Sequence, residues 1–101
     1  KFTGNILKVD KFGNVVTNIP AEKFQSVFGA TNFQLRIGSQ WVTRVYSSYT
    51  QAQDQNPFAI WGSFGLLEIS CNQASAAKKL NVVPYDEVEI KINSERNISQ
   101  L

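Results

Sequence analysis

The sequence predicts a mainly β domain: a closed or nearly closed antiparallel, Greek-key-like barrel of about seven strands with two short helices. Three observations carry this. Apolar and polar residues alternate with a period of two in several short segments, which is the spacing of a half-buried strand. Turn-forming Gly, Asn, Asp and Pro residues separate those segments. The chain has 101 residues, the size of one domain, and closing a small sheet on itself removes exposed edges.

The first strand is expected over residues 5–9, followed by the turn DKFGN and a second strand over 15–19. Pro20 then opens a short helix over 21–28, with Phe24, Val27 and Phe28 at i, i+3 and i+4 and Gly29 as its stop. Residues 33–37 (FQLRI) place Phe33, Leu35 and Ile37 on one face. Gly38 and Ser39 fit a II′ hairpin turn, and a strand resumes over 41–46. Residues 47–56 form a polar loop longer than a hairpin needs, the kind of loop that carries function. Strands over 58–61 and 66–70 lead to a second helix over 74–80, for which Asn72 is a plausible cap. In the last strand Val88, Ile90 and Ile92 alternate with Glu87, Glu89 and Lys91. The barrel domain is expected to span residues 1–93, with 94–101 a tail.

Charge excludes several function classes. Ten Lys and Arg stand against eight Asp and Glu, a formal net charge of +2, and they are scattered. Neither a nucleic-acid stripe nor a membrane-binding patch is indicated, and no apolar run is long enough to span a bilayer or to serve as a signal peptide. The single cysteine, Cys71, has no internal partner for a disulfide, which agrees with a reducing compartment and a cytoplasmic location. There is no histidine, so Ser–His–Asp, Cys–His and zinc chemistry are excluded from this chain, and no metal or cofactor is expected. The absence of methionine, with Lys1 at the start, leads to the expectation of a fragment preceded by another domain.

Three segments bring together groups that could recognise a ligand, although each alone reads most simply as a turn or a cap. DKFGNVVTN gathers a carboxylate at Asp10, an aromatic face at Phe12, a close-approach glycine and an amide at Asn14. An Asn side chain presents donor and acceptor side by side, matching the N6 and N7 edge of adenine, and an aromatic face stacks a base. GSFGLLEI offers the Ser63 hydroxyl and turn N–H groups as a nest for a carboxylate, with Leu67 and Ile69 inward. CNQASAA offers the backbone of a strand-to-helix turn.

Taken in order, DKFGNVVTNIP, SSYTQAQDQNPFAIWGSFGLLEI, CNQASAAKKL and a closing strand after PYDEV resemble the C-terminal domain of the adenosyl-forming S-adenosylmethionine hydrolases, the S-adenosylmethionine hydroxide adenosyltransferases. Bacterial fluorinating and chlorinating enzymes are relatives. The resemblance runs from about residue 2 to 93. It implies a preceding catalytic α/β domain absent from this chain, a homotrimer, and a small-molecule substrate, S-adenosylmethionine, held between this barrel and the N-terminal domain of a neighbouring subunit. It implies hydrolysis to adenosine and methionine, with an Asp, Arg and His set in the other domain activating water, so that this chain alone is inactive and has no catalytic residues.

By position, the resemblance assigns Asp10 to the methionine α-amino group, Phe12 to packing on the nucleoside and Asn14 to adenine. Ser63 and the backbone N–H of Phe64 would take the methionine end, Tyr49 would stack on adenine, and the backbone of Asn72 and Gln73 would read the adenine edge. The sequence departs from the family pattern at Gly62, where Asn is common, and in QAQDQNP, where an acidic residue and a glycine are more usual. Two other readings compete. An oligonucleotide-binding barrel would need basic residues interleaved with exposed aromatics, and Trp41, Tyr46 and Trp61 have few basic neighbours in sequence. A purely structural or assembly domain would bind none of these ligands.

Overall fold

Period-two alternation translates into eight strands joined in one sheet in the computed structural model, which describes residues 2–20, 22, 33–46, 48–62 and 64–92. The strands are β1 (Phe2–Val9), β2 (Val15–Pro20), β3 (Phe33–Ile37), β4 (Gln40–Val42), β5 (Val45–Tyr46), β6 (Phe58–Trp61), β7 (Leu66–Ser70) and β8 (Glu87–Ile92). Their order across the sheet is β4-β3-β8-β1-β2-β7-β6-β5.

The fold is mainly β, as expected, but the sheet is an open, curled half-barrel rather than a closed barrel. The reason lies in residues 41–46, expected as one strand. β4 pairs antiparallel with β3, whereas β5 pairs parallel with β6. These two strands are the opposite edges of the sheet, yet only Thr43 and Arg44 separate them. The three peptide units from Val42 to Val45 reach at most about 11 Å, so the edges are brought side by side. Being consecutive pieces of one chain, they bend at the seam instead of pairing with each other. The split makes eight strands of the expected seven, and the parallel pair makes the sheet mixed.

β1 bends as well. Its first half pairs with β8, from Phe2↔Ile90 to Asn5↔Glu87, and its second half pairs with β2. The register shifts between Ile6 and Lys8, leaving Leu7 as an extra residue, and such a bulge turns a strand from one sheet direction to another. Where β1 crosses β2 the backbones approach closely: a Cβ on Gly4 would lie 2.7 Å from both Asn18 Oδ1 and Ile19 Cγ1. Asn18 Oδ1 accepts the Asn5 N–H at 2.8 Å, so this side chain replaces a ladder bond where the strands diverge.

The concave side buries Ile6, Val15, Leu35, Ile37, Leu67, Ile69, Val88 and Ile90. Leu67 and Ile69 point inward as their alternation with Glu68 predicts. The β3–β4 hairpin is the expected one: Ile37 pairs with Gln40, and Gly38 has φ 62° while Ser39 has no positive φ, the pattern of a II′ turn.

Among the described residues there is one α-helix, α1 (Ala76–Leu80); the helix expected over 21–28 lies outside them except for Glu22, as does the tail 94–101. α1 starts later than predicted, and its cap is Ser75, whose Oγ accepts the Lys78 N–H at 3.1 Å. Asn72 does not serve because the chain first reverses through a Cys71↔Ala74 bridge with Gln73 at φ 55°, which precludes helical geometry there. Five residues are too few to be stable as a free helix. Burial of Ala76, Ala77 and Leu80 against the core holds the helix in place.

Trp41 has two basic neighbours in space: the Arg36 guanidinium lies 6.0 Å from the indole centroid and the Lys91 ammonium 5.6 Å. Arg36 is its register partner on β3, and Lys91 comes from β8, the next strand over. Among the described residues no helix is long and apolar enough to cross a membrane, and no group of three or more His, Cys, Asp or Glu could hold a metal ion.

Candidate functional site

The β1–β2 connection, residues 10–14, is built around the Asp10 carboxylate. Oδ1 accepts the N–H groups of Phe12 at 2.9 Å and Asn14 at 3.0 Å, and Oδ2 accepts Asn14 Nδ2 at 3.1 Å. Backbone bonds from Gly13 N to Asp10 O and from Asp10 N to Asn14 O close the same turn. Asp and Asn are suited to this because short polar side chains bond the backbone a few residues on. Burial draws the Asp10 pKa upward, but the hydrogen bonds from Asn14 and Phe12 and the charge of Lys8 outweigh it, so the net shift is downward. Asp10 is therefore a carboxylate at neutral pH.

The sign of the linkage follows from that shift. A depressed folded-state pKa contributes stability above the ordinary carboxylate range and loses it as pH falls through the lowered value. In urea unfolding at pH 7 and pH 3, Asp10→Asn is expected to show a smaller loss on acidification than the wild type; an equal loss would show that the turn does not depend on this charge.

Gly13 docks this turn onto α1. Its carbonyl accepts the Ala77 N–H at 3.0 Å, its φ is +86°, and a Cβ there would lie 2.7 Å from the Ser75 Cα. The FGN and NQASAA segments, 60 residues apart in the chain, thus share one junction. On either side of the buried Gly13, Asn14 is half-buried and Phe12 stands at the surface, 69% exposed.

The polar loop brings Tyr49 to the same clefts. Ser48 and Gln51 form a capping box around a 3-10 turn, Tyr49–Gln51, and Arg44 Nη1 holds both Asp54 carboxylate oxygens at 2.9 Å. Tyr49 is fixed edge-on against Phe58, with centroids 6.1 Å apart, and remains 53% exposed. Two clefts result, and Phe12, Asn14 and Tyr49 line both. The first, about 460 Å³, is completed by Cys71, Gln73, Ala74 and Ser75. The second, about 410 Å³, is completed by charged Lys8, Asp10 and Glu68 together with Val16, Phe64 and Leu66.

The model of the SAM hydroxide adenosyltransferase C-terminal domain family matches residues 4–89. The chain belongs to this family. Two solved structures resemble it. An uncharacterized conserved protein from Thermotoga maritima superposes with a TM-score of 0.76 at 32% identity, over 88% of this chain and 35% of that one. A conserved hypothetical protein from Thermus thermophilus superposes with a TM-score of 0.67 at 27% identity, over 87% of this chain and 34% of that one. The chain spans about a third of the length of these proteins.

In this SAM hydroxide adenosyltransferase C-terminal domain, most of the residues singled out in the sequence converge. Phe12, Asn14 and Tyr49 form the wall between the clefts, Asp10 and Phe64 line the second, and Gln73 lines the first. Asn72 is half-buried beside Gln73 and lines neither cleft; Ser63 lies outside the described residues. Asp10 and Asn14, assigned separate ligand roles from sequence, bond each other first. Cys71 is buried and forms part of the first cleft's wall, where burial pushes its thiol pKa up against a weaker opposing effect of Lys79.

Lys8 and Glu68 were missed. Lys8 is register partner to Val16 on β2, and Val16 to Glu68 on β7, so all three share a face. The signal was present: if Leu67 and Ile69 point inward, Glu68 points outward. Only the pairing register puts it beside Asp10.

Proposed function

We propose that this chain is the substrate-gripping part of an enzyme that hydrolyses S-adenosylmethionine to adenosine and methionine. The observation that carries the reading is the wall of Phe12, Asn14 and Tyr49 shared by two clefts of different chemistry. A nucleoside joined to an amino acid has the same division: a flat aromatic base at one end and a charged group at the other. The first cleft, bounded by the Cys71–Ser75 turn, suits adenine. The second, with Asp10, suits the amino-acid end.

The hydrogen-bonding inventory is compatible with both roles. Asn14 has given one amide hydrogen to Asp10, which leaves one N–H and its carbonyl oxygen for the adenine edge. Asp10 Oδ2 accepts one bond from Asn14 and has capacity for an ammonium. Phe12 is 69% and Phe64 88% exposed; in this reading the N-terminal domain of a neighbouring subunit in a trimer covers them.

The chemistry is displacement at the 5′ carbon. A C–O bond forms to water as the C–S bond breaks, the bonding pair leaves with sulfur to give the methionine thioether, and a base in the preceding domain takes the proton. The sulfonium is already a good leaving group, so what this domain contributes is position and exclusion of bulk water. In calorimetric titrations of the full-length protein, Asn14→Ala is expected to weaken adenosine binding by about 1 to 3 kcal/mol, the cost of leaving a buried partner unpaired. Unchanged affinity would remove Asn14 from the site, and failure of the wild type to bind adenosine would remove the reading.

A further inference from the structure

The second cleft carries one more carboxylate than its own amine offsets, which leaves one negative charge for an ammonium ligand to meet. Lys8, Asp10 and Glu68 line it, two carboxylates against one amine. Glu68 reaches it by a specific accommodation at the start of the β6–β7 turn. A Cβ on Gly62 would lie 2.7 Å from Glu68 Cδ and would collide with Oε2, so the carboxyl group occupies the space a side chain at position 62 would take. Gly62 is held in the turn by its N–H bond to Leu66 O at 2.9 Å and by accepting the Gly65 N–H at 3.1 Å. The glycine therefore permits Glu68 to fold back over its own turn beside the cleft.

We infer that Glu68 is a specificity-determining residue of this cleft, acting with Asp10 to favour a ligand that carries an ammonium group over a neutral nucleoside. The inference rests on the proposed function for the existence of the pocket, and it adds a residue and a selectivity to it. Two carboxylates facing one cleft raise the cost of leaving it without a cation, and a bound ammonium relieves their mutual repulsion. The shift at Glu68 agrees: burial chiefly, then the Asp10 charge, push its pKa up, with Lys8 opposing. Asp10 has its own turn to satisfy it, whereas Glu68 gains most from an incoming cation.

The experiment compares two inert probes on the full-length protein. Adenosine is neutral; S-adenosylhomocysteine adds a zwitterionic amino-acid end, an ammonium beside a carboxylate, and its neutral thioether is a poor leaving group. Glu68→Gln keeps the shape and removes the charge, and is expected to lower affinity for S-adenosylhomocysteine roughly tenfold while leaving adenosine unchanged, as loss of one charge-assisted interaction implies. Gly62→Ala displaces the carboxyl group without neutralising it but also crowds the Leu66 carbonyl oxygen at 2.7 Å, so it is read as a ratio: alone it is expected to cause the same selective loss, and added to Glu68→Gln it should leave the ratio of the two affinities unchanged. A wild-type ratio of the two affinities in Glu68→Gln, or equal losses for both probes, overturns the inference while leaving the pocket in place. Failure of the wild-type protein to bind either probe overturns the pocket and the inference together.

Discussion

Gly13→Ala is expected to lower stability by about 3 kcal/mol. Two terms add. A left-handed backbone, here φ +86°, costs an L-residue about 1–2 kcal/mol. A Cβ at that point also runs into Ser75, 2.7 Å from its Cα, where backbone rather than a flexible side chain must give, and overpacking of that kind costs about 1–3 kcal/mol. For a domain of this size the sum corresponds to a fall in Tm of roughly 15 °C. Gly65→Ala separates the terms, because Gly65 has φ +77° with nothing within 4 Å of its Cβ position; it should lose only the conformational part, about 1–2 kcal/mol. Equal losses in the two variants would mean that the Ser75 contact yields without cost. Because the Gly13 carbonyl also receives the Ala77 N–H, adenosine affinity should fall along with stability in Gly13→Ala and not in Gly65→Ala.

Thr17→Val, nearly the same shape, is expected to cost about 2–4 kcal/mol despite adding only apolar surface, because each buried backbone group left without a partner costs about 1–3 kcal/mol. The β2–β7 register slips between Val16 and Pro20, so the ladder has a gap there. The fully buried Thr17 hydroxyl bridges it, donating to Leu67 O at 2.7 Å and accepting the Ile19 N–H at 3.2 Å. Valine would leave both of those groups unpaired. Urea unfolding should show a lower midpoint with an unchanged slope. A change under about 1 kcal/mol, less than one unpaired group costs, would show that the gap closes by rearranging the ladder. The TN of DKFGNVVTNIP is then structural: Thr17 and Asn18 repair a divergence of strands, while the ligand groups sit upstream in DKFGN.

Several features were legible because they depend only on neighbours along the chain. The alternation in FQLRI and in EVEIKI placed β3 and β8, and Gly38 marked the hairpin turn, since side-chain period and positive φ are local properties. Asp10, Phe12 and Asn14 were also found locally, as unusual chemistry gathered in one turn. The cap of α1 was misplaced because Asn72 is as good a capping residue as Ser75. What decided between them was the Cys71↔Ala74 bridge and the left-handed Gln73, neither of which has a compositional signal.

Local pattern and motif order were enough for a mainly β domain, the family it belongs to, and the residues that make the wall of a candidate site. Tertiary structure alone decided that the sheet stays open, that Asp10 and Asn14 bind each other before any ligand, and that Lys8 and Glu68 flank Val16 beside them. The physical reason is the same in each case. Period two tells which face a residue takes, but pairing register tells which residues meet on that face, and register here is set by a bulge at Leu7, a slip after Val16 and a seam at Thr43 and Arg44.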